Sequence, residues 1–469
     1  MALILYLILL GLACAYALRD WRRAWLALIV CGVIQDPVRK LTPGQPVAVS
    51  FLVVGLFVVV LFAARRELLA HAREFAARFP NLNTTVMIFL FFLVVAGFNG
   101  LTTYGFDKWK VPLVSFVTYV APLSAIVLGY TWLQREESMI HFFRLYALLT
   151  SAAMTGALLE YLRVESSLLG MVSFQGDFIR HLPGIQIRML SGFYRSPDIM
   201  ALHAATLTAI GIMMALRAGM KKEVLFWYGV AGFGFLTCML AGRRKALYFI
   251  AVFCLAFLWR YVRRVKVSQF LAILGIAVIL GVVLRNLSSN EETSVYARGA
   301  LASRGEFAQR LEGGTMETFR QFGLMGAGLG TATQGVRHLL GTDMNVGWQE
   351  GGLAKLAIEV GLPGILLGLV MGWIVLQLWL RLTSIRDVEG SSQFMRATLF
   401  GFVVANGASF LASAQAYSDA VLALMAGFFV GCLFATAALD ERHAASQRAA
   451  TPETQSEAVL PPGPLPLPS

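Results

Sequence analysis

Charge is scarce in this chain. Aspartate, glutamate, lysine and arginine make up 14% of its 469 residues, where a soluble globular chain carries about a quarter. The acidic kind is the scarcer, 27 residues against 39 basic ones, which leaves a formal net charge of +12. Cysteine is sparse, and Cys14, Cys31, Cys238, Cys254 and Cys432 each sit inside an apolar segment without metal-ligand spacing. They read as core residues. Histidine is equally thin, and no His-x-His, His-x-x-x-His or carboxylate cluster marks a metal site. The expected chemistry therefore needs no metal. No phosphate-binding Gly-Lys-Ser/Thr loop or dinucleotide fingerprint is present, so no cofactor is expected. An internal repeat of the kind that builds inverted-repeat transporters is also missing.

What the chain has in excess is apolar surface. Its apolar content is 57% and its mean hydropathy is +0.68. Apolar stretches of roughly 17–25 residues recur, each long enough to cross a bilayer as a helix that satisfies its own backbone. The pattern predicts an all-α polytopic bundle of about 12–14 spans filling 1–439, a chain embedded in the lipid bilayer. The basic excess marks membrane-surface loops and not a nucleic-acid partner. Met1 to Leu18 lacks the basic leader of a signal peptide and is read as the first span.

Two short early spans, about 24–35 and 47–64, are followed by an arginine-bearing amphipathic helix over 65–80. Spans four to six cover about 85–104, 111–133 and 140–162. A polar loop occupies 163–196. Spans seven to ten follow at about 197–216, 224–242, 246–259 and 269–284. A large polar loop over 285–360 precedes three last spans, about 361–382, 394–414 and 419–439. The tail, 440–469, ends in a proline-rich run and is expected to be disordered. Taking the Arg19–Arg23 cluster as cytoplasmic puts both long loops on the opposite, outer side.

That outer side gathers arginines: Arg188, Arg195, Arg243, Arg244, Arg304 and Arg310 among them. A guanidinium is a permanently charged planar fork that grips phosphate oxygens in pairs. The run Arg243-Arg244-Lys245 sits in a short outer hairpin, where three cations oppose the charge rule for membrane insertion. Each arginine alone is better explained as a solvated loop charge or a lipid head-group contact; the cluster suggests a held diphosphate. Gly326, Gly328 and Gly330 offer backbone N–H groups to an anion or simply a tight turn before a helix. Trp348 and Glu350 close the large loop. Glu350 is a candidate general base at a low-dielectric rim, or else a hydrated interface carboxylate. Glu306 and Asp198 are weaker candidates.

Four pieces, in order, resemble the O-antigen ligase and O-antigen polymerase superfamily. They are Arg188 through Ala201, with Gly192 and Pro197; Leu240 through Leu247, with Arg244; Leu324 through Gly330; and Glu350 through Gly364, with Glu359, Gly361 and Gly364. The resemblance covers about 188–379. It implies a helical bundle with a large outer loop before its last spans. The implied activity is metal-independent, inverting transfer of a glycan from an undecaprenyl-diphosphate-linked oligosaccharide to an acceptor glycan hydroxyl. This would occur at the outer face of a bacterial inner membrane, beside other polysaccharide assembly proteins.

By position, Arg188 and Arg244 would bind the diphosphate. The superfamily's motif histidine falls on Glu350, its asparagine on Asp198 and its serine on Arg243. These departures point to an exopolysaccharide polymerase or a divergent branch. The catalytic expectation is thus Glu350 and Arg244, with Arg188, Arg195, Arg243, Arg304, Arg310 and Trp348 on substrate. A solute transporter of related fold and a non-catalytic scaffold for polysaccharide assembly are the other readings. A transporter would carry its charges near mid-membrane.

Overall fold

The structure is a computed structural model that describes residues 1–172, 179–182, 185–261, 315–333, 351–384 and 393–450. The early helices are α1 (Ala2–Arg19), α2 (Trp21–Leu41), α3 (Val49–Arg78), α4 (Pro80–Tyr104), α5 (Lys110–Trp132) and α6 (Glu136–Tyr161). A hairpin, β1 (Ile179–Leu182) and β2 (Ile185–Arg188), precedes α7 (Pro197–Arg217), α8 (Lys221–Leu240) and α9 (Arg244–Tyr261). After the Gly-rich segment come α10 (Gly352–Glu359), α11 (Leu362–Ser384), α12 (Gln393–Ala412) and α13 (Ala420–Ala450). Among the described residues, ten helices are long and apolar enough to cross a membrane. The chain is an all-α, multi-pass membrane bundle.

Local chemistry sets most boundaries. The Asp20 carboxylate accepts from the Arg23 N–H and starts α2 one residue after α1 ends. Pro80 and Pro197 open α4 and α7, where a missing N–H costs nothing. Gly105, at φ 89°, ends α4 in a conformation that favours glycine.

α7 is the hub, with 94% of its apolar stretch buried, against 11% for the peripheral α11. Around it, Phe142, Phe143, Phe402, Phe428 and Phe429 form a fully buried aromatic core with Trp25 and Tyr146. Small residues let α5 and α13 touch backbone to backbone. A methyl added at Gly129, Gly427 or Gly431 would strike the carbonyls of Phe428, Pro122 or Ile126. Helices in lipid gain close van der Waals packing this way.

Several boundaries differ from expectation. α2 runs through Asp36-Pro37 to Leu41, because its last turn is buried and its charges are partnered. The third span and the amphipathic segment form one 30-residue helix, α3. The polar loop after α6 contains the β1–β2 hairpin, with Ile179 opposite Arg188. α13 continues past Asp440 to Ala450, so the first part of the expected disordered tail is helical. The tenth span and most of the large loop, like 451–469, lie outside the described residues.

Cross-contacts show which connections share an end of the bundle. Lys40, ending α2, donates to the Gly192 carbonyl ahead of α7 (2.7 Å). Arg195 meets Asp419 ahead of α13, and Lys245 on α9 meets Ser413 after α12. Asn99 near the end of α4 donates to the Gly326 carbonyl (3.0 Å). All of these lie at one end, called here the polar end.

Candidate functional site

The polar end is built around the first turn of α7. The segment leading into it is clamped from both sides. The Glu160 carboxylate accepts from the Ser191 and Gly192 N–H groups (3.0 and 2.6 Å), while Lys40 takes the Gly192 carbonyl. Gly192 has φ +53° and lies against the α6 backbone at Ala157, so a side chain there would clash. This clamp aims Arg195.

The Arg195 guanidinium donates to Asp36 on α2 (2.8 Å), to Asp419 (3.0 Å) and to the Ser418 carbonyl (3.1 Å). The Arg195 N–H also donates to Asp36. Burial lowers the proton affinity of Arg195, but the two carboxylates raise it beyond arginine's ordinary range. For Asp419, burial pushes the pKa up. Arg195, His203 and the Leu422 N–H outweigh that and hold it below its ordinary value. Behind Asp419 stands His203 on α7, with Nε2 3.8 Å from the carboxylate and Nδ1 2.7 Å from the Tyr146 hydroxyl. Tyr194 stacks on the imidazole at 4.7 Å. Gln35 donates to Asp419 from α2.

One step around the same turn, Asp198 holds the α8–α9 corner. Its carboxylate pairs with Arg243 (2.8 Å) and with Lys245 (2.5 Å). Lys245 reaches on to the Ser413 hydroxyl (3.0 Å). The same corner lies against β2: the Leu190 N–H donates to the Leu240 carbonyl, and Gly242 faces Ile187 and Met189. The 188–201 and 240–247 motifs are therefore one assembly. Arg244, the first residue of α9, is nearly buried.

The other two motifs also meet. The Ala327 N–H donates to the Ile358 carbonyl (2.7 Å), and the Leu362 N–H to the Leu324 carbonyl (2.8 Å). Gly326, Gly328 and Gly330 all have positive φ, and side chains at 328 and 330 would hit α4 and α5. The anion that this loop's N–H groups hold is internal. Glu359, fully buried, accepts from the Gly330 and Ala332 N–H groups (3.2 Å each), the Thr333 hydroxyl (2.7 Å) and the Tyr119 hydroxyl (2.7 Å). The reading as a tight structural turn is the one the geometry supports. At the start of α10, Gly351 and Gly352 lie against the Leu411 and Phe410 backbone, close in sequence to Ser413. This brings the second pair of motifs beside the first.

A trough of about 230 Å³ opens next to Arg195. Arg39 and Arg195 stand at its polar part, and Ser196 and Ile199 bring the α7 turn to it. Phe51 and Val54 of α3, Val117 and Ala121 of α5, and Leu424 of α13 give it apolar walls. Asp198 points instead to the α8–α9 corner, as expected for a helix position about 100° away from Ile199.

Arg195 and Arg243 are each paired with carboxylates of the chain itself, Arg195 with Asp36 and Asp419, and Arg243 with Asp198. Asp198 is the shared partner of Arg243 and Lys245. Arg188 and Arg244 belong to the assembled corner. Glu350, Arg304, Arg310 and Trp348, with Glu306, lie outside the described residues. Asp36, Arg39, Asp419 and His203 were not singled out from the sequence. Asp36 and Asp419 carry a legible signal, since each is an acid at the end of an apolar run in an acid-poor chain. Arg39 and His203 carry none, because only the fold brings them there.

Neither models of known protein families nor curated proteins give a match to this chain.

Proposed function

We propose that the protein transfers a glycan from an undecaprenyl-diphosphate-linked oligosaccharide to an acceptor sugar hydroxyl, building or attaching a surface polysaccharide. One observation carries this reading: the trough at the polar end combines apolar walls from three membrane helices with two arginines, Arg39 and Arg195, in its lining. An amphiphile with an anionic head and a long apolar chain has that shape and chemistry. A membrane transporter would instead be expected to place its charges midway along the spans, and here the ion pairs among the described residues lie toward the two ends of the bundle.

The opposite end bears Arg19, Arg22, Arg23, Arg65, Arg66, Arg73 and Arg78, and the charge rule assigns it to the cytoplasm. The polar end then faces outward from a bacterial inner membrane. In the reaction, the acceptor oxygen attacks the anomeric carbon and the anomeric carbon–oxygen bond breaks. Undecaprenyl diphosphate leaves with the electron pair. The hydroxyl proton passes to a base, for which Glu350 is the sequence candidate. The α8–α9 corner, where Asp198 anchors Arg243 and Lys245 on either side of Arg244, would offset the charge growing on the leaving diphosphate. Arg244 is the member for which we assign that role. Polysaccharide assembly proteins are the expected neighbours in the membrane.

The test is reconstitution in lipid nanodiscs with a synthetic undecaprenyl-diphosphate oligosaccharide. The expected result is release of undecaprenyl diphosphate coupled to glycan extension. Arg244→Ala and Glu350→Ala are each expected to lower the rate at least about 100-fold, the loss typical of a removed charge-stabilising group or base. Normal polymer from cells carrying either variant in correctly inserted protein would remove that residue from the mechanism. A deletion strain that accumulates no lipid-linked glycan would remove the reading altogether.

A further inference from the structure

A second and larger cavity, about 530 Å³, lies at the opposite end of the bundle. It forms where α3 turns into α4, beside the second half of α11. The cause is visible in how α11 is held. Its first turns pack into a small core with Phe89, Leu93 and Ala96 of α4. Near its end, Trp379 stacks face to face on Phe400 of α12 at 3.9 Å. Between these two contacts α11 stands away from the α3–α4 corner, and its outer residues are exposed as a lipid-facing surface, Trp373 at 58%.

The wedge is apolar on its walls, with Phe79, Leu82, Trp373, Leu378 and Phe434, and polar at Arg78, Asn81 and Gln377. Among the described residues no carboxylate lines it, the nearest in the sequence being Glu74, which accepts from the Tyr130 hydroxyl. Its aromatic side is rigid: Phe79 packs edge to face on Phe434 at 4.6 Å. The Arg78 guanidinium lies 5.9 Å from the Phe79 ring centre and interacts with Tyr130, which fixes where its charge sits. The surrounding membrane face carries Arg65, Arg66 and Arg73 on the same helix. The volume falls within the roughly 300–1,000 Å³ usual for ligand sites. Basic pockets between membrane helices on the cytoplasmic side suit anionic lipid head groups.

We propose that this wedge is a binding site for an anionic glycerophospholipid of the surrounding leaflet. Its phosphate lies at Arg78, and an acyl chain lies along Trp373, Leu378 and Phe434. The bound lipid closes the gap between α11 and the α3–α4 corner. The assignment is independent of the glycosyl-transfer reading, since it concerns the other end of the molecule.

Trp373 provides the probe. The full-length protein would be placed in nanodiscs containing brominated phosphatidylglycerol or brominated phosphatidylcholine. The Trp373 share of quenching is read as the difference between wild type and Trp373→Phe. Quenching of that share should be about fivefold more effective with the anionic lipid, the preference expected for one arginine near a membrane surface. Arg78→Gln should bring the ratio to about one, while Arg78→Lys keeps most of it. Equal quenching by the two lipids in the wild type would mean ordinary boundary lipid only and would overturn the site, whatever the variants do. A preference unchanged in Arg78→Gln would overturn the role of Arg78.

Discussion

The two ends of this bundle solve the same problem in opposite ways. At the end that carries most of the arginine-rich loops, ion pairs are exposed: Arg22–Glu67, Arg144–Glu223 and Arg217–Glu136 have side chains 24–53% accessible. At the polar end, Arg195 with Asp36 and Asp419, and Asp198 with Arg243 and Lys245, are 2–17% accessible. The pair chemistry is shared and the dielectric is not. An exposed pair contributes about 0–1 kcal/mol because water screens it and its side chains lose entropy. A buried pair is expensive to desolvate and, once built, expensive to break. A chain with so few acids has placed several of them in its interior at one end, where each holds a cation of the chain in a fixed position.

The largest test of this contrast is Arg195→Ala. It leaves Asp36 and Asp419 facing each other without their cation, and the expected destabilisation is about 3–5 kcal/mol, read as a loss of thermal stability in mild detergent. Asp419→Ala should fall in the same range. Next is Glu359→Ala, which strips the acceptor from four donors. A buried donor left alone costs about 1–3 kcal/mol; with water able to enter the vacated space and partner most of the four, a loss of about 3 kcal/mol is expected, with faster proteolysis within 324–333. Glu359→Gln should recover part of it.

A smaller effect separates the ends by acid. Asp419 binds its proton more weakly in the folded chain than at its ordinary value of 3.8. Its stabilisation is therefore complete above about pH 4 and drains away as the pH falls below that. Asp419→Asn should flatten that slope while lowering stability at neutral pH. The smallest effect is Arg22→Ala at the exposed end, expected to cost less than about 1 kcal/mol. If Arg22→Ala and Arg195→Ala cost the same, burial does not distinguish the ends and the comparison fails.

Much of the molecule was legible in the sequence. The apolar runs marked α4 to α8 to within a few residues, because a bilayer fixes both the length and the composition of what crosses it. Pro197 stands at the start of α7 as the apolar run places it, and in the structure Gly105 ends α4. The four motif segments are legible in the sequence in chain order only; that 188–201 meets 240–247, and that 324–330 meets the described part of 350–364, comes from the fold. The end of α2 was misread because Asp36-Pro37 looks like a stop signal; Lys40 and Arg195 supply the partners that let the helix continue. Asp198 looked like a spare carboxylate until Arg243 and Lys245 closed on it.

Hydropathy along one dimension determined that this is a helical membrane bundle, since lipid admits no other arrangement of so apolar a chain with helical lengths. The pairing of its few charges was decided in three dimensions only. Asp36 and Asp419 are distant in sequence from each other and from the Arg195–His203 stretch, and no motif joins the three. What couples them is Coulomb energy in a dry interior, which depends on distance through space and so becomes visible once the helices are packed.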